Sequence, residues 1–361
     1  MKILYLITGL RLGGAESQLL LLADNMQQLE NKVLVVAMES GGVLKDSFIA
    51  KNINVVELDI SDASTLISGY RKFKTIVNNF SPDVIHSHMI HANLFTRIFK
   101  LFNNKIKLIC TAHNIREGSS ILMNCYYLTR TIANWSTNVS KEAFDLFVQK
   151  KYFDPEKSSY VPNAIDTKVF RPNQYNDDNL RKQLGLAEDV YVYFTAGRLH
   201  EQKNHQMLLQ AFKVIHDDSK QTVLIIAGEG TLQKKLHKKS IDLGISNHVH
   251  FLGRRNDIPA LMSLCNCFVL SSKFEGFGLV IGEAMAMQKA VVATDCGGVK
   301  EVMGGYGRLV NVDDITSLAD AMLQTYKMSY PIDYLNNARK YIENNYAVSL
   351  VVKQWTQLYA N

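Results

Sequence analysis

Nowhere in the 361-residue chain do roughly eighteen apolar residues follow one another, so a membrane-spanning helix is not expected. Proline is sparse, with 6 in all, and no segment is low in complexity, which argues against disorder. Cysteine is scarce and odd in number: Cys110, Cys125, Cys265, Cys267 and Cys296 make 5, scattered through apolar runs. That usage points to reduced core thiols in a cytosolic protein and not to a disulfide framework. Cys265 and Cys267 have no second ligand pair, so they do not read as a metal site. Neither half carries a G-x-G-x-x-G fingerprint, because the early glycines fall at Gly9, Gly13 and Gly14, and a nicotinamide dehydrogenase is therefore disfavoured. Charge of one sign is not in large excess either. With 40 Lys and Arg against 34 Asp and Glu, the net charge of +6 is too small to imply a nucleic-acid partner.

What is present is the balance of a soluble globular protein, 47% apolar and 20% charged. The opening MKILYLITGLRLGGAE has a short apolar run broken by Arg11 and Glu16, and reads as a buried strand and not as a signal peptide. Short β-branched runs alternate with helical patterns throughout, the signature of parallel sheets covered on both faces. KILYLI, KVLVVAM, INVVEL, DVIHSH, KLICTAH, WSTNVS and SSYVP form a first series. A second series, YVYFTAG, QTVLIIAGEG, HVHFLGR, CFVLSS, AVVATDCGG and GRLVN, follows a polar stretch near 162–190. We therefore expect two Rossmann-like domains facing across a cleft, residues 1–165 and 166–345, with a C-terminal helix at about 346–361 returning to the first.

Four loop constellations carry chemistry. Gly13-Gly14-Ala15-Glu16 follows the first strand and opens a helix, where small residues admit a phosphate or sugar, or simply make a tight turn. Arg198, after Ala196-Gly197 at a strand end, and Lys203 at the next helix start suit a diphosphate, the rival being solvated surface cations. Phe274-Glu275-Gly276-Phe277-Gly278-Leu279-Val280 is a glycine-rich turn entering a helix that bears Glu283. Its helix-start N–H groups suit a phosphate and its two carboxylates suit sugar or ribose hydroxyls, whereas Glu275 could also serve only as a helix cap. His113, in Thr111-Ala112-His113-Asn114 at a strand end, is either a hydroxyl-binding or charge-supporting group or a structural histidine. His86, His88 and His91 lack a carboxylate at ligand spacing, so no metal is expected there.

These residues resemble those of glycosyltransferase family 4, retaining enzymes of the GT-B fold, over essentially the whole chain. Glu275 and Glu283 match the family's Glu-x7-Glu motif within FEGFGLVIGEAMA, and AGRLHEQKN matches its Gly-Arg…Lys diphosphate site. IAGEGTLQKKL, VHFLGRR, YVPNAID, TDCGGVKEV and the early GGAE fit its other landmarks. The resemblance implies that Arg198 and Lys203 bind the diphosphate and stabilise the leaving group. Glu275 would hold donor-sugar hydroxyls, with Phe277, Gly278, Leu279 and Val280 around the sugar and phosphate. It implies further that Glu283 binds the ribose, that Gly253 and Arg254 meet the base, that Gly14 lies under the diphosphate, and that His113 contacts the sugar near the reacting carbon. No cofactor and no metal are expected; the sequence has no Asp-x-Asp, and Asp217-Asp218 reads as surface.

A UDP-linked hexose or N-acetylhexosamine is the expected donor, with GDP-mannose the competitor. The same residues would also suit an isomerase acting on a nucleotide sugar, or a non-catalytic nucleotide-sugar-binding protein. The first half suggests the acceptor. Between Asp62 and Glu117 the only acid is Asp83, while Arg71, Lys72, Lys74, Arg97, Lys100, Lys105, Lys107 and Arg116 are basic. Phe95, Ile98, Phe99 and Phe102 sit among them at helical spacing. This is either an ordinary solvated amphipathic helix or a peripheral membrane surface running from Arg71 to Arg116. On the second reading the partner is a lipid-linked glycan at the inner face of the cytoplasmic membrane, in O-antigen or capsule assembly.

Overall fold

The computed structural model describes residues 1–115, 117–175, 177–328 and 330–361. The chain divides into two compact units, one of Met1–Ala164 with Ser349–Asn361 and one of Ile165–Val348.

The first unit is built on seven parallel strands: β1 (Lys2–Ile7), β2 (Lys32–Ala37), β3 (Asn54–Glu57), β4 (Val84–His88), β5 (Lys107–Ala112), β6 (Trp135–Asn138) and β7 (Ser158–Tyr160). Their spatial order is β3-β2-β1-β4-β5-β6-β7. Helices lie between successive strands, so residues on both sheet faces are buried and the strands read as nearly continuous apolar runs. After β3 the chain returns to the other side of β1, pairing Ile3 with Val33 on one side and Val84 on the other. The two strand-end loops on either side of that reversal leave an open crevice at the carboxyl ends of β1 and β4.

The second unit repeats the plan with β8 (Tyr191–Ala196), β9 (Thr222–Ala227), β10 (Val249–Gly253), β11 (Cys267–Leu270), β12 (Ala290–Thr294) and β13 (Arg308–Val310). The order β10-β9-β8-β11-β12-β13 puts the reversal between β8 and β11. All thirteen strands coincide with runs read as strands in the sequence. The long helical tail resolves into helices Ile315–Lys327, Ile332–Tyr346 and Val348–Ala360. In the last of these Lys107 donates to the carbonyls of Leu358 (2.6 Å) and Tyr359 (3.2 Å), satisfying acceptors that a helix end leaves unpaired. Tyr359 also hydrogen-bonds Tyr5 (3.2 Å) and His86 Nδ1 (2.7 Å) through its hydroxyl, and burial pushes both phenols up.

The basic region, read as either a solvated amphipathic helix or a peripheral membrane surface, is not one continuous cationic face. Arg97 is fully buried, its guanidinium 3.8 Å from the centre of the Tyr126 ring and donating to the Tyr126 carbonyl (3.0 Å) and Thr129 Oγ1 (3.2 Å). Lys100 donates to the carbonyls of Asn104 and Ile106, and Lys72 pairs with Asp59. With Lys107 holding the C-terminal helix, the exposed cations left to a surface among the described residues are Arg71, Lys74 and Lys105, while Arg116 lies outside the described residues. The apolar spacing divides as well. Phe95 and Phe99 point into the core, where Phe73 packs edge-on at 5.4 and 4.9 Å, but Ile98, Leu101 and Phe102 face outward, Phe102 with 75% of its surface accessible. A helix packed on one face of a sheet must direct one stripe inward, and only tertiary packing selects which. Phe99→Ala should therefore cost about 3–5 kcal/mol in urea unfolding, and Phe102→Ala less than about 0.5 kcal/mol.

Candidate functional site

In the second unit the loops leaving β8 and β11 meet at the strand-order reversal. β8 ends in Ala196, and Gly197 and Arg198 follow with Arg198 exposed. The turn is held from behind by the end of β9. Gly228, at φ 146°, has its backbone so close to Gly197 that an added Cβ would stand 1.9 Å from the Gly197 carbonyl oxygen. Its N–H donates to the Gly253 carbonyl (2.8 Å), tying together the ends of β8, β9 and β10. Only glycine fits there, which explains the AGEG sequence as a backing for the Arg198 loop.

Lys203 closes a 3-10 turn, Glu201–Lys203, ahead of the helix His205–Asp218. Its ammonium lies 2.6 Å from Glu275 Oε1, and Ser272 donates its hydroxyl to the same oxygen at 2.6 Å. Both side chains are mostly buried, so this pair is screened far less than a surface ion pair. Neighbouring bonds fix the loops that carry it: Ser271 Oγ donates to the Lys203 carbonyl (2.9 Å), Thr294 Oγ1 to the Ser272 carbonyl (2.6 Å), and Gln202 Nε2 to the Phe274 carbonyl (2.9 Å). Glu275 is thus an ion-pair partner and not a helix cap. It retains Oε2 for a further donor.

The turn then enters the helix Leu279–Ala286 through Gly278, whose φ of 86° is left-handed and whose Cβ would press on Val299 at 3.1 Å. Phe277 is buried edge-on against Tyr346, 5.3 Å between ring centres. The N–H groups of Leu279 and Val280 in the first turn have no intrahelical acceptor and carry the positive end of the helix dipole. One turn on, Glu283 is partly exposed by its residue surface, yet its carboxyl is pushed up to about 7 by loss of solvent alone. Arg254 is exposed and its N–H reaches Glu229 Oε1 at 3.4 Å, while the Gly253 carbonyl is taken by Gly228. Arg198, Lys203, Glu275 and the Phe277–Glu283 segment are therefore grouped about one strand-end region. Ser272 and Gly228 belong to the group without having been singled out in the sequence. A serine near a glutamate carries no distinctive spacing, but the double glycine of AGEG was a usable signal.

In the first unit Gly14 is exposed at the start of the helix Gly14–Gln28, after β1. His113 follows β5 and is buried, its Nε2 3.0 Å from Nδ1 of His88 at the end of β4. Burial lowers His113 to about 4 and His88 well below the usual imidazole range, so both rings are neutral at ordinary pH. The His113 N–H donates to the Glu117 carboxyl, which burial raises to about 8.

Two family comparisons cover most of the chain. The family described as "Glycosyltransferase Family 4" matches residues 12–169, and "Glycosyl transferases group 1" matches residues 176–348. Among curated relatives, the UDP-Gal:alpha-D-GlcNAc-diphosphoundecaprenol alpha-1,3-galactosyltransferase of Escherichia coli is 26% identical over 86% of this chain and 81% of its own. The N-acetylgalactosamine-N,N'-diacetylbacillosaminyl-diphospho-undecaprenol 4-alpha-N-acetylgalactosaminyltransferase of Campylobacter jejuni is 29% identical over 74% of this chain and 73% of its own. Among solved structures, Anabaena Alr3699/HepE in complex with UDP and glucose superimposes with a TM-score of 0.89 at 24% identity, covering 100% of this chain and 99% of that one, which shows the fold. Two doubly wound units of this strand order have the GT-B fold. The chain belongs to glycosyltransferase family 4 and is a glycosyltransferase.

The raised carboxyl of Glu283 has a consequence for stability. Because its folded value of about 7 exceeds the unfolded value of roughly 4.3, its contribution is complete below about 4.3 and is lost as pH rises through about 7. Glu283→Gln should melt higher than wild type at pH 8.5 and close to it at pH 4, measured by differential scanning fluorimetry across that range.

Proposed function

We propose that this glycosyltransferase moves a hexose or N-acetylhexosamine from a UDP-sugar to a sugar hydroxyl of a lipid-linked glycan, with retention at the anomeric carbon and without a metal. The observation that carries the reading is the clustering of Arg198, the Lys203–Glu275–Ser272 group and the Leu279–Ala286 helix start at the reversal of the second sheet. Relatives lend it chemistry: the printed name of the Escherichia coli enzyme specifies UDP-Gal and a diphosphoundecaprenol acceptor, and that of the Campylobacter enzyme a diphospho-undecaprenol acceptor.

On this reading Arg198, Lys203 and the N–H groups of Phe277 to Val280 meet the diphosphate, Glu275 the sugar hydroxyls, and Glu283 the ribose. Gly14 lies under the diphosphate, and the backbone near Gly253 and Arg254 meets the base. Departure of the nucleoside diphosphate breaks the bond between C1 and the β-phosphate oxygen, and negative charge grows on that phosphate. Cations already in position stabilise it with little reorganisation. An arriving diphosphate competes with Glu275 for Lys203, which then bridges both anions. The acceptor hydroxyl oxygen bonds C1 from the face the phosphate leaves, and its proton passes to the departing β-phosphate oxygen. His113, neutral at working pH, contacts the sugar near C1.

The lipid-linked acceptor fits the outward apolar residues Ile98, Leu101 and Phe102 of the first unit, with Ile121 and Leu128 on the helix Ser120–Leu128. Together with Arg71, Lys74 and Lys105 they suit peripheral docking on an anionic inner membrane leaflet, as expected of surface-polysaccharide assembly.

Calorimetric titration of UDP, GDP and NAD into wild type and Glu283→Ala tests the donor. UDP should bind selectively and lose affinity in the variant; GDP binding in its place would redirect the donor to GDP-mannose, and indifference to the substitution would remove Glu283 from the site. Arg198→Ala should lower kcat more than it raises KM, since its partner charge grows in the transition state, and EDTA should leave turnover unchanged. Leu101→Glu with Phe102→Glu should abolish flotation with anionic liposomes without lowering the melting temperature. Unchanged flotation would discard the docking surface.

A further inference from the structure

The carboxyl ends of β4 and β5 carry a hydrogen-bonded histidine pair, of which only His113 figures in the transfer reaction proposed above. His88 Nδ1 and His113 Nε2 are 3.0 Å apart. The opposite nitrogens, His88 Nε2 and His113 Nδ1, are buried and have no hydrogen-bond partner among the described residues. Both rings line a small cavity of about 20 Å³ with Gln18, Asn163 and Trp355. Two other polar side chains on its wall are engaged elsewhere. The Gln18 amide donates to the Ala164 carbonyl (2.8 Å) and accepts the Ala164 N–H (2.7 Å), while Thr111 Oγ1 bonds His86 (2.6 Å) and Thr137 (2.7 Å).

The bond between the rings constrains both tautomers. A neutral imidazole has one N–H and one lone pair, so a single hydrogen bond between Nδ1 of one ring and Nε2 of the other admits two arrangements. Either His88 donates and both rings carry their proton on Nδ1, or His113 donates and both carry it on Nε2. In each, the unpartnered nitrogens present one donor and one acceptor, and a hydroxyl, which both donates and accepts, can pair with either of them. His88 is itself immobilised. Its ring centre lies 4.1 Å from that of His86, which packs tilted against Trp355 at 4.5 Å and is bonded to Tyr359 and Thr111. The His113 backbone is held separately by Glu117.

We propose that His88 is a positioning residue for the transfer reaction: through its Nδ1 it fixes the orientation and tautomer of His113, leaving His113 Nδ1 as the one ring atom offered to a hydroxyl of the bound sugar. This rests on the reading in which His113 contacts that sugar. Partners that orient a functional imidazole in this way typically matter by 10–100-fold.

The geometry supplies its own discriminating variants. The amide of asparagine reaches where a histidine Nδ1 sits, and that of glutamine reaches where Nε2 sits. His88→Asn should therefore keep most of the wild-type kcat, while His88→Gln and His88→Leu lose roughly 10–100-fold with little change in donor KM. His113→Ala added to His88→Leu should cost almost nothing more, since the two act as one unit. Side-chain 15N NMR of the folded protein reads the coupling without turnover. Wild type should show His88 and His113 in the same tautomer, and His88→Leu should leave His113 as a mixture. Opposite tautomers in wild type, an unchanged His113 signal in folded His88→Leu, or equal activity of the Asn and Gln variants would overturn the proposal. If His113→Ala alone turned over like wild type, the reading of His113 as a sugar contact would fail, and the NMR result would still decide whether the rings are coupled.

Discussion

Parallel pairing is the constraint on which the rest of the molecule depends. Every strand must be followed by a crossover before its neighbour is laid down, and the crossover always departs from the carboxyl end. Where the strand order reverses, between β1 and β4 and again between β8 and β11, adjacent crossovers turn to opposite faces and leave the loop ends uncovered. Gly14, His88, Arg198, Lys203 and Glu275 lie at or after the strands of these reversals, and His113 follows the neighbouring β5. The sheets are buried on both faces, and these side chains belong to the stretches where backbone leaves them.

Within the second unit, loop positions are set by close backbone contact and by one buried ion pair. Gly228 allows the β9 loop to touch the β8 loop, and the Lys203–Glu275 pair, anchored by Ser272, joins the β8 loop to the β11 loop. Removing one partner of such a pair leaves the other charged and poorly solvated. In the first unit the corresponding loops are held by neutral hydrogen bonds: Tyr359 to His86, His86 to Thr111, and His88 to His113. Desolvation keeps those imidazoles uncharged, so strand ends are joined by opposite means in the two units, charge in one and directional neutral donors and acceptors in the other.

Much of this was legible beforehand. Strand runs bounded by glycine and polar turns gave all thirteen strands, because burial on both faces demands unbroken β-branched sequence. The loops that carry Arg198, Lys203 and Glu275 were legible as glycine-containing turns closing strands. The cationic surface was less legible. Arg97, Lys100 and Lys107 are cations like Lys105, yet the first is buried on Tyr126, the second satisfies carbonyls of the turn before β5, and the third those of the C-terminal helix. A count of charges along the chain cannot register the acceptors that distant residues bring to them.

The amino-acid sequence by itself determined the alternation of strand and helix, the two-unit division and the glycine-bracketed loops, since these follow from local periodicity and from backbone conformations only glycine adopts. Tertiary structure alone decided partnership: that Glu275 faces Lys203, that Tyr359 from the far end of the chain reaches His86, and that His88 and His113 share a hydrogen bond. Such pairings depend on strand register and crossover path, and residues 25 to 273 positions apart become neighbours only when the sheet closes around them.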